Sequence, residues 1–155
     1  MATDQNQYLG NPLLKKANVP VEFTKEQIQE YQKCMDDPVY FIQEYMKIVS
    51  LDEGLVPFKM YDFQRNMVKT FHDNRFTICK LPRQSGKSTT IIAYLLHYVL
   101  FNPNVNVAIL ANKSSTARDI LGRLQLGYEN LPKWLQQGVI SWNKGSLDLE
   151  NGSSI

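Results

Sequence analysis

Residues 76–101 read FTICKLPRQSGKSTTIIAYLLHYVLF, and no other stretch narrows the possible folds as much. RFTICKL is a short run of strand formers bounded by a turn signal. KSTTIIAYLLHYVLF is apolar almost all the way round, which predicts a helix buried on more than one face. VNVAIL follows as a second short apolar strand, and SSTARDILGRLQLGY as a further helix with Ser114 or Ser115 as its cap. Strand, loop, helix, strand, helix is the order expected of an α/β chain with a parallel sheet flanked by helices.

The loop between the first strand and its helix carries half of a phosphate-binding pattern, G-x-x-x-x-G-K-[ST]. Gly86-Lys87-Ser88 is intact, whereas Leu81 stands where the first glycine would be. In such a loop, backbone N–H groups and the N-terminus of the next helix converge on an anion. Gly86 lets the backbone approach the phosphates, Lys87 reaches the β- and γ-phosphates, and Ser88 ligates Mg²⁺. The expected nucleotide contacts are Arg83, Gln84, Ser85, Gly86, Lys87, Ser88 and Thr89. Pro82 offers no N–H to the cradle. Arg83 sits where a guanidinium would neutralise charge developing on the γ-phosphate, an effect of about 4–7 kcal/mol on a barrier. The competing readings are a surface turn with Lys87 merely solvated, and an Arg83 that only packs at the loop's edge.

Phe63-Gln64 lies 17 residues before Leu81. An aromatic ring can stack on a purine, and a glutamine amide can pair with the N7 and 6-amino edge of adenine. Neither Asn-Lys pair, at 112 and at 143, continues into the aspartate of a guanine-binding motif. The expected ligand is therefore ATP. VNVAIL runs into Ala111-Asn112-Lys113, and SLDLE is a polar-alternating arm, so neither ends in the acidic pair that hydrolysis requires. Nucleotide binding without turnover is the expectation for this chain.

The remaining segments organise around that unit. Residues 1–22 are polar, broken by Gly10, Pro12 and Pro20, and read as a flexible arm. Residues 23–55 read as a helical segment: Thr24 and Gln27 have capping-box spacing, Ile28, Tyr31 and Met35 recur at helical spacing, and Asp37-Pro38 starts a second helix. Residues 56–155 begin with a third helix, ending near Asn74. They close on SLDLENGSSI, where Asn151-Gly152 is a strong hairpin signal and the return arm has only three residues. The sequence thus reads as stopping partway through a sheet.

With 43% hydrophobic and 21% charged residues the composition is that of a folded domain, and a net charge of +2 carries no case for DNA by itself. Cys34 and Cys79 form no metal or redox motif and read as buried small hydrophobes in a reduced, cytoplasmic protein. MATDQNQ lacks the features of a signal peptide. The apolar run from Ile91 to Phe101 falls well below the roughly 18 residues of a membrane helix.

DFQRNM, LPRQSGKST, AILANKSSTARDILGR and WNKGSLDLENGSSI, in this order, resemble the large terminase subunit of tailed phages, most closely the T-even-like myovirus type. The resemblance runs from about Tyr8 through Ile155 and includes DDPVYFIQEY. It implies a P-loop NTPase fold of the RecA/ASCE-like kind with an N-terminal helical subdomain, incomplete at the C-terminus. It further implies a motor that uses ATP and Mg²⁺ to drive double-stranded DNA into a capsid, with a nuclease in a C-terminal part. By matching positions, Phe63 and Gln64 fall on the adenine motif and Arg83 on a finger in cis. Lys87 and Ser88 fall on the phosphate and Mg²⁺ contacts, and Asn112-Lys113 on a coupling segment. The implied partners are DNA, a portal protein, a small terminase subunit and further copies in a ring, in the host cytoplasm and away from membranes. The competing classes are a superfamily-2-like helicase or translocase, and a non-enzymatic docking module on the same fold.

Overall fold

The computed structural model describes residues 6–50 and 52–155. It opens on an antiparallel hairpin of β1 (Gln7–Tyr8) and β2 (Asn11–Lys15). Of the flexible arm expected over residues 1–22, residues 1–5 lie outside the described residues, and the segment from Gln7 on is instead tied down. Leu14 is fully buried, and the Ala17 N–H donates to Val139 O at 3.3 Å. A single apolar side chain with a site to fill is enough to dock a segment whose composition is otherwise loop-like.

Two short helices follow, α1 (Lys25–Asp36) and α2 (Pro38–Tyr45), with the expected caps. Thr24 and Gln27 form the reciprocal capping box, and the Asp37 carboxylate accepts from the Val39 and Tyr40 N–H groups ahead of Pro38. The hydroxyls of Tyr40 and Tyr45 both donate to the Glu30 carboxylate, at 2.6 and 3.0 Å, stapling α2 to α1. Cys34 is the buried residue of α1, whereas Ile28 stays exposed. The stretch read as helical to residue 55 turns instead into a second hairpin, β3 (Lys47–Ser50) and β4 (Gly54–Pro57). Gly54 supplies its positive φ of 74°.

The long helices are α3 (Asp62–Asp73), α4 (Lys87–Phe101) and α5 (Ser114–Glu129), followed by β5 (Val139–Trp142) and β6 (Leu147–Leu149). α4 is the hub, packing against α2, α3 and α5. Ile92, Ala93, Leu96, Val99 and Leu100 are buried on several of its sides, as the near-continuous apolar run predicts. Burying each such leucine or isoleucine contributes about 1.5–3 kcal/mol relative to leaving it exposed. The Ser114/Ser115 cap is displaced: α5 starts at Ser114 itself, Lys113 occupies the N-cap position, and no side chain closes that end.

The sheets depart most from expectation. Each is a two-stranded antiparallel pair, β1–β2, β3–β4 and β5–β6, and no parallel sheet forms among the described residues. Residues 76–81 have no ladder partner among the described residues, and Ile78 is 99% and Leu110 92% exposed. Cys79 is exposed for the same reason, while Cys34 is buried as expected. VNVAIL is engaged only in its first half. The Ser154 N–H donates to Val105 O and the Val107 N–H to Ser154 O, a single parallel bridge centred on Asn106. The Asn151-Gly152 turn does form. Gly152 has φ 81°, and Leu147 and Ile155 exchange N–H···O bonds at 3.0 Å.

The N-terminal hairpin and the C-terminal strands meet at Glu150. Its carboxylate accepts from Lys15 Nζ at 2.8 Å, from the Gly138 N–H at 2.7 Å and from the Asn18 N–H at 2.9 Å. Partial burial pushes its pKa up, but Lys15 and these N–H donors outweigh that and hold it below the usual carboxylate range. A Cβ on Gly138 would lie 2.5 Å from Ala17 Cα and 2.5 Å from a Glu150 carboxylate oxygen. Gly138→Ala is therefore predicted to cost about 1–3 kcal/mol through overpacking and to release residues 7–18. Limited proteolysis checks this: cleavage in that segment should accelerate, and an unchanged digestion rate would refute the close approach.

Candidate functional site

The segment between Pro82 and α4 is held by few side-chain bonds. The Ser85 hydroxyl and the Lys87 ammonium both donate to Pro82 O, each at 3.0 Å. Gln84 and Gly86 take positive φ, 60° and 72°, and Gly86 is the N-cap of α4. Only glycine adopts that conformation without a Cβ penalty. The first intrahelical bond runs from the Thr90 N–H to Gly86 O at 3.0 Å, and the Thr90 hydroxyl donates to the same oxygen.

None of the backbone N–H groups from Arg83 through Thr89 makes a well-formed hydrogen bond to a protein acceptor among the described residues. The first-turn donors of a helix are orphaned by geometry, and here they follow directly on the Arg83-Gln84 turn. Together with the positive end of the helix dipole they form an arrangement suited to an anion. The chemistry of these donors suits a phosphate group.

Of the residues singled out in the sequence, Gln64 is brought directly to the loop. Its Nε2 donates to Ser85 O at 3.4 Å, while its Oε1 accepts from the Tyr61 N–H at 2.9 Å. The side chain is only 2% exposed, and a Cβ on Gly86 would meet Gln64 Nε2 at 2.6 Å. Phe63 does not share that burial. It is 40% exposed and stacks on Tyr61, with ring centroids 6.0 Å apart and planes 9° apart. Tyr61 is the residue that sequence reasoning missed. Its signal was available in the Tyr-Asp-Phe spacing at the start of α3, which sets two aromatics side by side.

Arg83 and Ser88 are exposed, and neither makes a side-chain hydrogen bond or ion pair among the described residues. Thr89 lines a cleft of about 360 Å³ with Met46, Ile48, Val49, Ile92 and Arg123. Asn112 and Lys113 lie beyond the unpaired end of VNVAIL, exposed at the start of α5. Among the described residues no three or more His, Cys, Asp or Glu side chains gather as a metal site, and no helix is long and apolar enough to cross a membrane.

Residues 78–155, which contain the loop, α4, α5 and the last two strands, match the family described as terminase large subunit, T4likevirus-type, N-terminal.

Proposed function

The chain belongs to the large-terminase family of T4-like phages and so to phage DNA packaging, and on that premise we propose that it is the ATP-binding part of the packaging motor. The observation that supports this reading is the set of N–H donors from Gly86 through Thr89 that find no acceptor among the described residues, on a left-handed Gly86. In this reading the triphosphate takes those donors, and Lys87 leaves Pro82 O to pair with the β- and γ-phosphates. Arg83, exposed beside them, faces the charge that develops on the transferred phosphoryl group. The open face of Phe63 receives the base. Mg²⁺, when bound, shields the phosphate oxygens, with Ser88 supplying a hydroxyl ligand.

The expected parallel P-loop sheet belongs to the same proposal. The exposed segments around Ile78 and Leu110 are apolar, strand-forming and without ladder partners among the described residues, as inner strands of such a sheet would be before it is completed. In the whole protein, ATP hydrolysis would drive double-stranded DNA into a capsid, and a nuclease would cut the concatemer. DNA, a portal, a small subunit and further copies in a ring are the proposed partners, in the host cytoplasm.

Lys87→Ala tests this. Titration of the 155-residue chain with a fluorescent ATP analogue should show affinity falling by at least about tenfold, the value of a charge-assisted hydrogen bond, with an unchanged far-ultraviolet dichroism spectrum. A folded variant that binds as tightly as the parent would sink the assignment.

A further inference from the structure

We infer that the outer face of the β3–β4 hairpin is a docking surface for a second copy of this chain, met across a two-fold axis so that each hairpin lies against the other in the reverse sense. The inference stands apart from the phosphate-site reading, since no residue from Arg83 through Ser88 takes part in it.

The hairpin has two faces by its own pairing. Lys47 is opposite Pro57 and Val49 opposite Leu55, and strand alternation sets all four on one side. All four are exposed, Val49 at 64% and Leu55 at 44%. Ile48 and Val56, paired with each other, face the other way and are half-buried, and Ile48 packs against the core. The inner side thus anchors the hairpin, while two apolar side chains stand together in solvent on the outer side.

Charge says what covers them. Lys47 stands at one end of this face, and Asp52 and Glu53, both exposed, stand at the turn that forms the other. Arg123 of α5, also exposed, lines a cleft beside β3 with Lys47 and Val49. None of these four charged groups is in an ion pair among the described residues. Lys47 and the tip are separated by roughly 17 Å of strand, beyond the screening length of about 10 Å at 0.1 M salt. The two ends of one hairpin therefore do not neutralise each other. A partner must carry an anionic end, an apolar middle and a cationic end in the opposite order. A nucleic acid, with one sign of charge along its backbone, does not. A second copy turned by half a revolution does, because an isologous contact sets one patch against itself. Lys47 of each copy then meets the acidic tip of the other, and the Val49–Leu55 pairs close over one another. The residues involved are far fewer than the roughly 20–30 a side of a standard interface, so the association is weak.

Sedimentation velocity on the 155-residue chain, from about 10 µM to about 1 mM, should show a monomer–dimer equilibrium that weakens as salt rises. Val49→Asp should raise the dissociation constant at least about tenfold by placing a charge in the apolar middle. Val49→Thr keeps the β-branched shape and should shift it the same way, so it serves if the aspartate variant does not fold. Lys47→Glu should raise the constant about tenfold, since one reversal turns two symmetric attractions into repulsions. The pair Asp52→Lys and Glu53→Lys should do the same. All three reversals in one chain restore opposite charges across the axis and should bring the constant back to within about threefold of the parent. Ile78→Ser, on the unpaired segment, should leave it unchanged, and far-ultraviolet dichroism should match the parent in every variant. A parent that stays monomeric at about 1 mM would overturn the inference. A dimer indifferent to both Val49 variants, or lost in Ile78→Ser, would overturn it by placing the contact elsewhere. A triple reversal that remains as weak as the single ones would refute the charge pairing, and species that grow beyond a dimer would mean a head-to-tail contact instead.

Discussion

Replacing Phe41 with alanine is expected to destabilise the chain by about 3–5 kcal/mol, the cost of deleting a buried aromatic side chain. Phe41 is fully buried on α2 and is the point where three other rings meet. It packs edge-on against Phe101 at 5.5 Å, tilts against His97 at 5.4 Å and stacks on Tyr45 at 6.3 Å. Removing it empties the seam between α2 and α4, whose side chains are fixed by one another and cannot collapse freely into the gap. A folded domain has about 5–15 kcal/mol in total, so the loss takes a large share of it. Urea unfolding followed by circular dichroism gives the change directly. A shift below about 1 kcal/mol, the range of surface substitutions, would mean that this seam is not packed as described.

The second large effect is a loss of stability in acid, centred on the neighbouring His97. Burial pushes its pKa down to about 4, only partly opposed by the Cys34 carbonyl. Nε2 donates to Cys34 O at 2.8 Å, which fixes the proton on that nitrogen and leaves Nδ1 buried with no hydrogen-bond partner among the described residues. The titratable groups around it are His72, which opposes its charging, and Asp37, which favours it; the Tyr94 ring packs at 6.4 Å. The unfolded chain binds the proton near pH 6.5 and the folded chain only near pH 4, so protonation favours unfolding between those values. Stability is fully present above pH 6.5 and falls as pH drops toward 4, by about 3 kcal/mol in all. His97→Leu should remove that part of the slope, although its stability at neutral pH is lower because Cys34 O loses its donor. Parallel unfolding curves for parent and variant across pH 4–7, with the same slope in both, would refute the assignment.

What could be read from the sequence divides along a physical line. The caps at Thr24 and at Asp37-Pro38 were legible because a cap is a bond between residues two or three apart. The central place of α4 was legible because a helix apolar on all sides has nowhere else to go. The left-handed turn ahead of α4 was legible by its glycine. The docked N-terminal hairpin was not, because Gln136, which bonds the backbone on either side of Leu14, lies more than a hundred positions away. RFTICKL failed as a strand for the complementary reason. Strand formers make a strand only where a partner offers its N–H and C=O groups, and none does among the described residues.

The clasp at Glu150 sets the order in which the molecule can be assembled. Lys15 and Glu150 are separated by 135 positions, so their contact closes a long loop, and loop closure is what slows folding in proteins of high contact order. During synthesis β1 and β2 leave the ribosome well before Gly138 and Glu150, which hold them. The helices from α1 to α4 can pack in the interval, since their contacts are nearer in sequence. The N-terminal hairpin is thus made early and seated late.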